Sequence, residues 1–233
     1  MRARVARPNI RVKVPATQAG LNAVVELTAA GMSVDVALIY SADRLLAAMA
    51  AIATGLEQAS GRGRNLSSIA PVTSFSVCEM DTEVDKLLWS LGTDTSGRLR
   101  GSAALSNAHL AYQAYETCLG DERWQKLVGL GVRPAQIVWT SAQVRDPYYA
   151  ETKYVEGLAA AGVAINLTEH TLDVLTENGM VVGGPMHDAY ESAHLAMAAL
   201  GEIGIDGQDV AQSLERKGAQ ALAVLWSQLN IRE

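Results

Sequence analysis

Five short runs rich in β-branched and apolar residues, at 10–14, 33–40, 72–77, 136–141 and 163–167, recur along the chain. Each precedes at least one stretch of helical periodicity, at 17–30, 43–59, 82–91, 101–119, 151–161, 170–178, 186–202 and 207–228. That rhythm predicts βα units built on a parallel sheet. With 233 residues the chain is long enough for one sizeable core and too short for two comfortable domains. Gly61-Arg62-Gly63-Arg64-Asn65 reads as a solvated turn, because it lacks the spacing of a dinucleotide or phosphate-binding loop.

A net charge of −6 argues against a general nucleic-acid or anionic-membrane binder, despite Arg2, Arg4, Arg7, Arg11 and Lys13 near the start. No targeting peptide and no apolar stretch of membrane-spanning length is legible. Cys78 and Cys118 are too few for a disulfide framework and too far apart for a Cys-x-x-Cys site. These features predict a cytoplasmic protein with neither nucleic acid nor membrane as partner.

Asn9-Ile10-Arg11-Val12-Lys13-Val14-Pro15-Ala16-Thr17 reads as a strand stopped by Pro15 and followed by a helix. Side chains alternate along a strand, so Lys13 and Arg11 share one face and Val12 and Val14 the other. A lysine at the C-terminal end of such a strand stands where α/β proteins assemble their sites, and it can form a Schiff base with a carbonyl substrate. A solvated lysine at a strand end is the competing reading.

The segment from Asn9 to Thr17, Ser33-Val34-Asp35-Val36-Ala37-Leu38-Ile39-Tyr40-Ser41 and Asp81-Thr82-Glu83-Val84-Asp85-Lys86-Leu87 together resemble transaldolases, particularly the actinobacterial form. Arg123-Trp124-Gln125-Lys126-Leu127 and residues 139 to 155 continue the resemblance in the same order. It implies an α/β fold, a transaldolase-type TIM (β/α)8 barrel, and it makes Lys13 the Schiff-base nucleophile. The five strands match the fourth to eighth of that barrel, so residues 1–233 are expected to form a single barrel domain lacking the first three βα units. From this follow three expectations: a reading frame that starts upstream, a second polypeptide that completes the barrel, or a poorly stable chain. Homo-oligomerisation belongs with these, since an open arc leaves two strand edges unpaired.

The resemblance also distributes roles along the remaining strands. Asp35 stands where asparagine usually hydrogen-bonds around the imine, and an ionised aspartate only accepts where asparagine also donates. Ala37 stands where threonine is frequent. Ser74 and Ser141 match substrate-contacting serines, and Arg145 is the candidate cationic ligand for a substrate phosphate. Two positions depart from the pattern: Ser76 replaces an aromatic residue, and Glu79 replaces an arginine that helps bind phosphate. An arginine gives phosphate a pair of donors, whereas a glutamate repels it. The acid/base carboxylates of the family fall on the strands without counterpart, so either Asp35 takes over proton transfer or the site has drifted, as Ala37 would fit. Arg11 either depresses the basicity of Lys13 or marks a face that is not enclosed.

Elsewhere, His109, His170, His187 and His194 do not cluster at metal-ligand spacings, so no metal or organic cofactor is expected. Asp81, Glu83 and Asp85 suit a helix start and its first turn. Trp89, Trp124, Trp139 and Trp226 read as core or interface. The function implied by the resemblance is transfer of a dihydroxyacetone unit between sugar phosphates, as in the pentose phosphate pathway. The alternatives are a transaldolase acting on an unusual sugar, and a catalytically silent truncated chain or half-barrel subunit.

Overall fold

The computed structural model describes residues 9–178 and 186–230; Arg2, Arg4 and Arg7 lie outside them. Five strands, β1 (Val12–Pro15), β2 (Val34–Ile39), β3 (Val72–Ser76), β4 (Gln136–Thr140) and β5 (Val163–Ile165), form one sheet in the order β1-β2-β3-β4-β5. Every neighbouring pair is parallel. Sequential parallel neighbours joined through helices are the arrangement found in the wall of a (β/α)8 barrel. Among the described residues the sheet stays open, with β1 and β5 as its edges.

The helices are α1 (Gln18–Ala29), α2 (Ala42–Gly61), α3 (Cys78–Leu91), α4 (Asp94–Leu99), α5 (Ala103–Gly120), α6 (Glu122–Gly129), α7 (Lys153–Leu158), α8 (Glu169–Asn178), α9 (Tyr190–Glu202) and α10 (Gly207–Asn230). Local chemistry starts several of them. Thr17 caps α1 through Gly20 N, Ser41 caps α2 through Arg44 N, and Thr93 and Ser96 form a reciprocal capping box on α4.

Alternation along the strands sends Val14, Val36, Phe75, Ile137 and Trp139 into the core beneath the helices. Phe75 meets Trp139 edge-on at 5.3 Å. Leu45, Met49, Ile52 and Leu56 of α2, with Met80, Val84 and Leu88 of α3, are buried in the same core. The opposite face of the sheet carries Lys13, Asp35, Ser74, Ser76 and Thr140.

The four tryptophans, read as core or interface, divide in two. Trp124 and Trp139 are buried, but Trp89 and Trp226 are exposed, and Trp89 stacks under the Arg100 guanidinium at 4.3 Å. Exposure suits Trp89 because its ring gains a cation–π contact that water does not abolish.

His109 on α5 is buried, with Nε2 placed 2.8 Å from Gly157 O so that the ring N–H donates to it. Burial holds this imidazole below its ordinary value of 6.5. A neutral native histidine stabilises the fold fully above pH 6.5, and that contribution is lost as pH falls through the lowered native value. The urea midpoint should therefore fall between pH 7 and pH 5, and His109→Gln should flatten that slope. An unchanged slope in the variant would refute the assignment. Glu57 and Glu83, whose carboxyls are held below 4.5 by Arg123 and by Lys217 with Lys86, act only at lower pH.

Candidate active site

Register brings the first three candidate residues together. Lys13 pairs with Asp35 across β1 and β2, and Ser74 projects from β3 on the same face. Lys13 Nζ lies 3.6 Å from Asp35 Oδ2, and Ser74 Oγ donates to Asp35 Oδ1 at 2.7 Å. Asp35 thus touches both an amine and a hydroxyl, the minimum for holding a proton beside a reacting carbonyl. The Lys13 side chain is 65% exposed. That differs from the sheltered barrel mouth the resemblance implies, and the reason is topological: among the described residues β1 is an edge strand with no neighbour on its far side. Arg11 does not approach the pair through a hydrogen bond; its Nε donates to Ala70 O at 3.0 Å, tying β1 to the entry of β3.

A second polar layer lies about 7 Å further along β3, two residues on from Ser74. Ser76 Oγ lies 3.3 Å from Thr140 Oγ1, which also donates to Phe75 O at 3.1 Å. Tyr40 faces this layer. Burial pushes its phenol above 10 and the nearby Glu79 carboxylate adds to that, while the Ser76 hydroxyl pulls it back.

The third layer is an ion pair. Arg145 Nη2 donates to Glu79 Oε1 at 3.1 Å, while Glu79 Oε2 is buried and makes no hydrogen bond among the described residues. Glu79 reaches this place because α3 begins at Cys78, four residues before the predicted start, with no side-chain cap. Its first amides are satisfied from β4 instead: Val77 N donates to Thr140 O and Cys78 N to Ser141 O, both at 3.0 Å. Ser141 therefore contributes its carbonyl to fixing α3, and no side-chain hydrogen bond joins it to Arg145. Ser141 and Leu38 are the non-glycine residues with left-handed backbone among the described residues, at φ 53° and 60°. Both stand where strands of this sheet end, and such strain is characteristic of positions held for function.

Sequence reasoning missed the frame behind these layers. Asp81 and Asp85 do lie near the start of α3, but they face inward and are buried. Asp81 accepts from Ala104 N at 2.6 Å, Lys153 Nζ at 2.6 Å and Tyr154 Oη at 2.8 Å. Asp85 accepts from Gly101 N at 2.9 Å and Tyr149 Oη at 2.7 Å. Burial is the main cause holding the Asp85 carboxyl above 3.8. With the Arg100–Asp146 bridge at 3.0 Å, these bonds pin the segment that carries Arg145. The i, i+4 spacing of Asp81 and Asp85, which puts both on one helix face, was the available signal.

Helix α10 packs against the C-terminal end of β2. Arg44 on α2 holds Glu215 in a two-pronged bridge of 3.0 and 2.7 Å, and Lys217 binds Glu83 on α3 at 2.6 Å. Gly218 permits this approach, since a Cβ there would stand 2.8 Å from Leu38 Cδ2. A cleft of about 340 Å³ opens beside the end of β1, lined by Ala16, Thr17, Leu38, Arg44, Glu215 and Arg216.

Gly20 is the tightest point near Lys13. A Cβ at Gly20 would stand 1.8 Å from Pro15 O, the backbone of the very strand that carries Lys13. Gly20→Ala should force β1 and α1 apart and lower stability by about 1–3 kcal/mol, the range for overpacking. Urea unfolding checks this, and an unchanged midpoint would contradict the contact.

The profile described as transaldolase/fructose-6-phosphate aldolase matches residues 1–232. Curated relatives agree. A transaldolase of a Parafrankia species is 41% identical over 231 residues, covering 98% of this chain and 63% of its own length. An Arthrobacter transaldolase is 41% identical over 226 residues (97% and 61%), and transaldolase 2 of Streptomyces coelicolor is 41% identical over 225 residues (97% and 60%). The chain thus spans about three-fifths of the length of the curated relatives it matches. No described helix is long and apolar enough to cross a membrane.

Proposed function

The chain belongs to the transaldolase/fructose-6-phosphate aldolase family, and we propose that Lys13 is its Schiff-base nucleophile, transferring a dihydroxyacetone unit from a ketose to an aldose. The observation that carries this reading is the contact of Lys13 with Asp35 at 3.6 Å, completed by the Ser74 hydrogen bond to the same carboxylate. The neutral amine adds to the ketose carbonyl, and loss of water gives an iminium. Cleavage of the neighbouring carbon–carbon bond sends its electron pair into the iminium, leaving an enamine on Lys13 and releasing an aldose. The enamine then attacks a second aldose, and hydrolysis frees the lysine. Asp35 takes and returns the protons, and Ser74 orients it. Ser141 and Arg145 stand toward the far end of the sugar.

At a reference pKa of about 10.4, roughly one lysine in 2,500 is neutral at pH 7, so enclosure of the amine has a large rate to contribute. In our reading three further strands complete the barrel against the free edges of β1 and β5, from this polypeptide, a separate half or a second copy. The reaction then proceeds in the cytoplasm, a setting that suits the unpaired thiols of Cys78 and Cys118. The exposure of Lys13 favours a second reading, a catalytically silent chain.

Borohydride trapping separates the two. The protein is incubated with dihydroxyacetone, fructose or fructose 6-phosphate, reduced, digested and mapped by mass. A reduced adduct on Lys13 is expected; an adduct confined to other lysines, or none with any ketose, would overturn the catalytic reading.

A further inference from the structure

We propose that the Glu79–Arg145 pair is a clamp for the terminal hydroxyl of an unphosphorylated ketose, and that it discriminates against the corresponding phosphate. The position of the sugar rests on the reading of Lys13 as the imine-forming residue; the clamp's preference does not.

A phosphate dianion offers only acceptors and needs unshared donors around it. Arg145 keeps N–H groups to donate, but the Glu79 carboxylate bound to its Nη2 at 3.1 Å offsets the charge that would hold a dianion. Of the other cations at this end of the sheet, Lys13 faces Asp35, Arg44 holds Glu215 and Lys217 holds Glu83, while Arg216 lines the separate cleft beside α10. The carboxylate itself would repel an anion seated beside it.

A hydroxyl group fits the same place. It carries one donor and two acceptor lone pairs. Glu79 Oε2 is a buried acceptor without a nitrogen or oxygen donor among the described residues, and besides Arg145 its carboxyl meets the Cys78 thiol, a weak donor. The remaining guanidinium N–H groups of Arg145 donate to the hydroxyl oxygen in turn. Buried acceptors are nearly always satisfied in functional proteins, so an orphan at a substrate-facing position points to a ligand O–H. Ser74, Ser76 and Thr140 follow one another along β3 and β4 between Lys13 and this pair, and Tyr40 lies beside Ser76 and Glu79. Hydroxyls so placed suit a polyol chain.

The test uses ligands without a carbonyl, so that binding is read independently of imine formation. Equilibrium binding of glucitol and glucitol 6-phosphate is measured for the protein and for Glu79→Gln and Glu79→Arg. The protein should prefer glucitol at least tenfold. Glu79→Gln should narrow that ratio at least fivefold by removing the charge while keeping the shape, and Glu79→Arg should invert it. Equal ratios in the protein and Glu79→Gln, or no measurable glucitol binding, would overturn the clamp. Tight glucitol 6-phosphate binding abolished by Arg216→Ala would do the same, by placing a phosphate in the cleft beside α10. A glucitol preference with no trapped adduct would sink the Schiff-base reading and leave the clamp standing.

Discussion

Asp81→Ala should cost about 3–5 kcal/mol of unfolding free energy, the range for stranding the partner of a buried charge. Asp81 is 3% exposed and accepts three hydrogen bonds, from the first turn of α5 and from two residues of α7. Removing its carboxylate orphans the Ala104 amide and the buried Tyr154 phenol. It also leaves the Lys153 ammonium, 15% exposed, with the faces of Tyr149 at 4.0 Å and Tyr154 at 4.9 Å as its contacts among the described residues. Those faces attract a cation but do not replace a carboxylate. Asp81→Asn keeps an acceptor and loses the charge, so a smaller loss of about 1–3 kcal/mol is expected. Urea unfolding of the three proteins measures the difference. Equal stability of the protein and Asp81→Ala would mean that the charge is solvated in solution.

The same network shows where sequence reasoning stops. The strands were legible because parallel strands covered by helices must carry apolar residues at successive core positions, and each run ended in a helix signal. The start of α3 was not, because its caps are carbonyls of residues 63 positions away, Thr140 and Ser141, rather than a local serine or aspartate. Helices α4 and α6 went unread as separate elements. In α4, Gly97 weakens a six-residue pattern whose Thr93–Ser96 box was nonetheless present; α6 is only eight residues long.

Within the site, alternation puts Lys13, Asp35 and Ser74 on one face and pairs Lys13 with Asp35, although Ser74 lies two residues beyond Val72, the register partner of Asp35, where β2 and β3 shift register. The exposure of Lys13 was out of reach, because enclosure is a property of the closed wall and not of the strand bearing the lysine. The pairing of Glu79 with Arg145 was equally hidden. Each charge was visible as a departure from, or match to, the family's pattern, yet their cancellation needs the bend at Ser141 that brings two segments together.

Lys13→Met should abolish the reduced ketose adduct while leaving stability within about 0.5 kcal/mol, as for exposed ion pairs. The chain has five lysines, and the other four are unsuited to attack. Lys86 and Lys217 share Glu83 on the helical surface, and Lys126 is paired with Glu122 one helical turn away. Lys153 is locked against Asp81 at 2.6 Å and is 15% exposed. Lys13 alone stands on a strand, flanked by a carboxylate and a hydroxyl from the next two strands. Methionine preserves the length and apolar stem of the side chain and breaks only a 3.6 Å contact that is largely in water. Loss of adduct without loss of fold would therefore isolate chemistry from architecture. An adduct that persists at full yield in Lys13→Met would mean that borohydride reports a surface amine, and that the polar face of this sheet binds sugar without reacting with it.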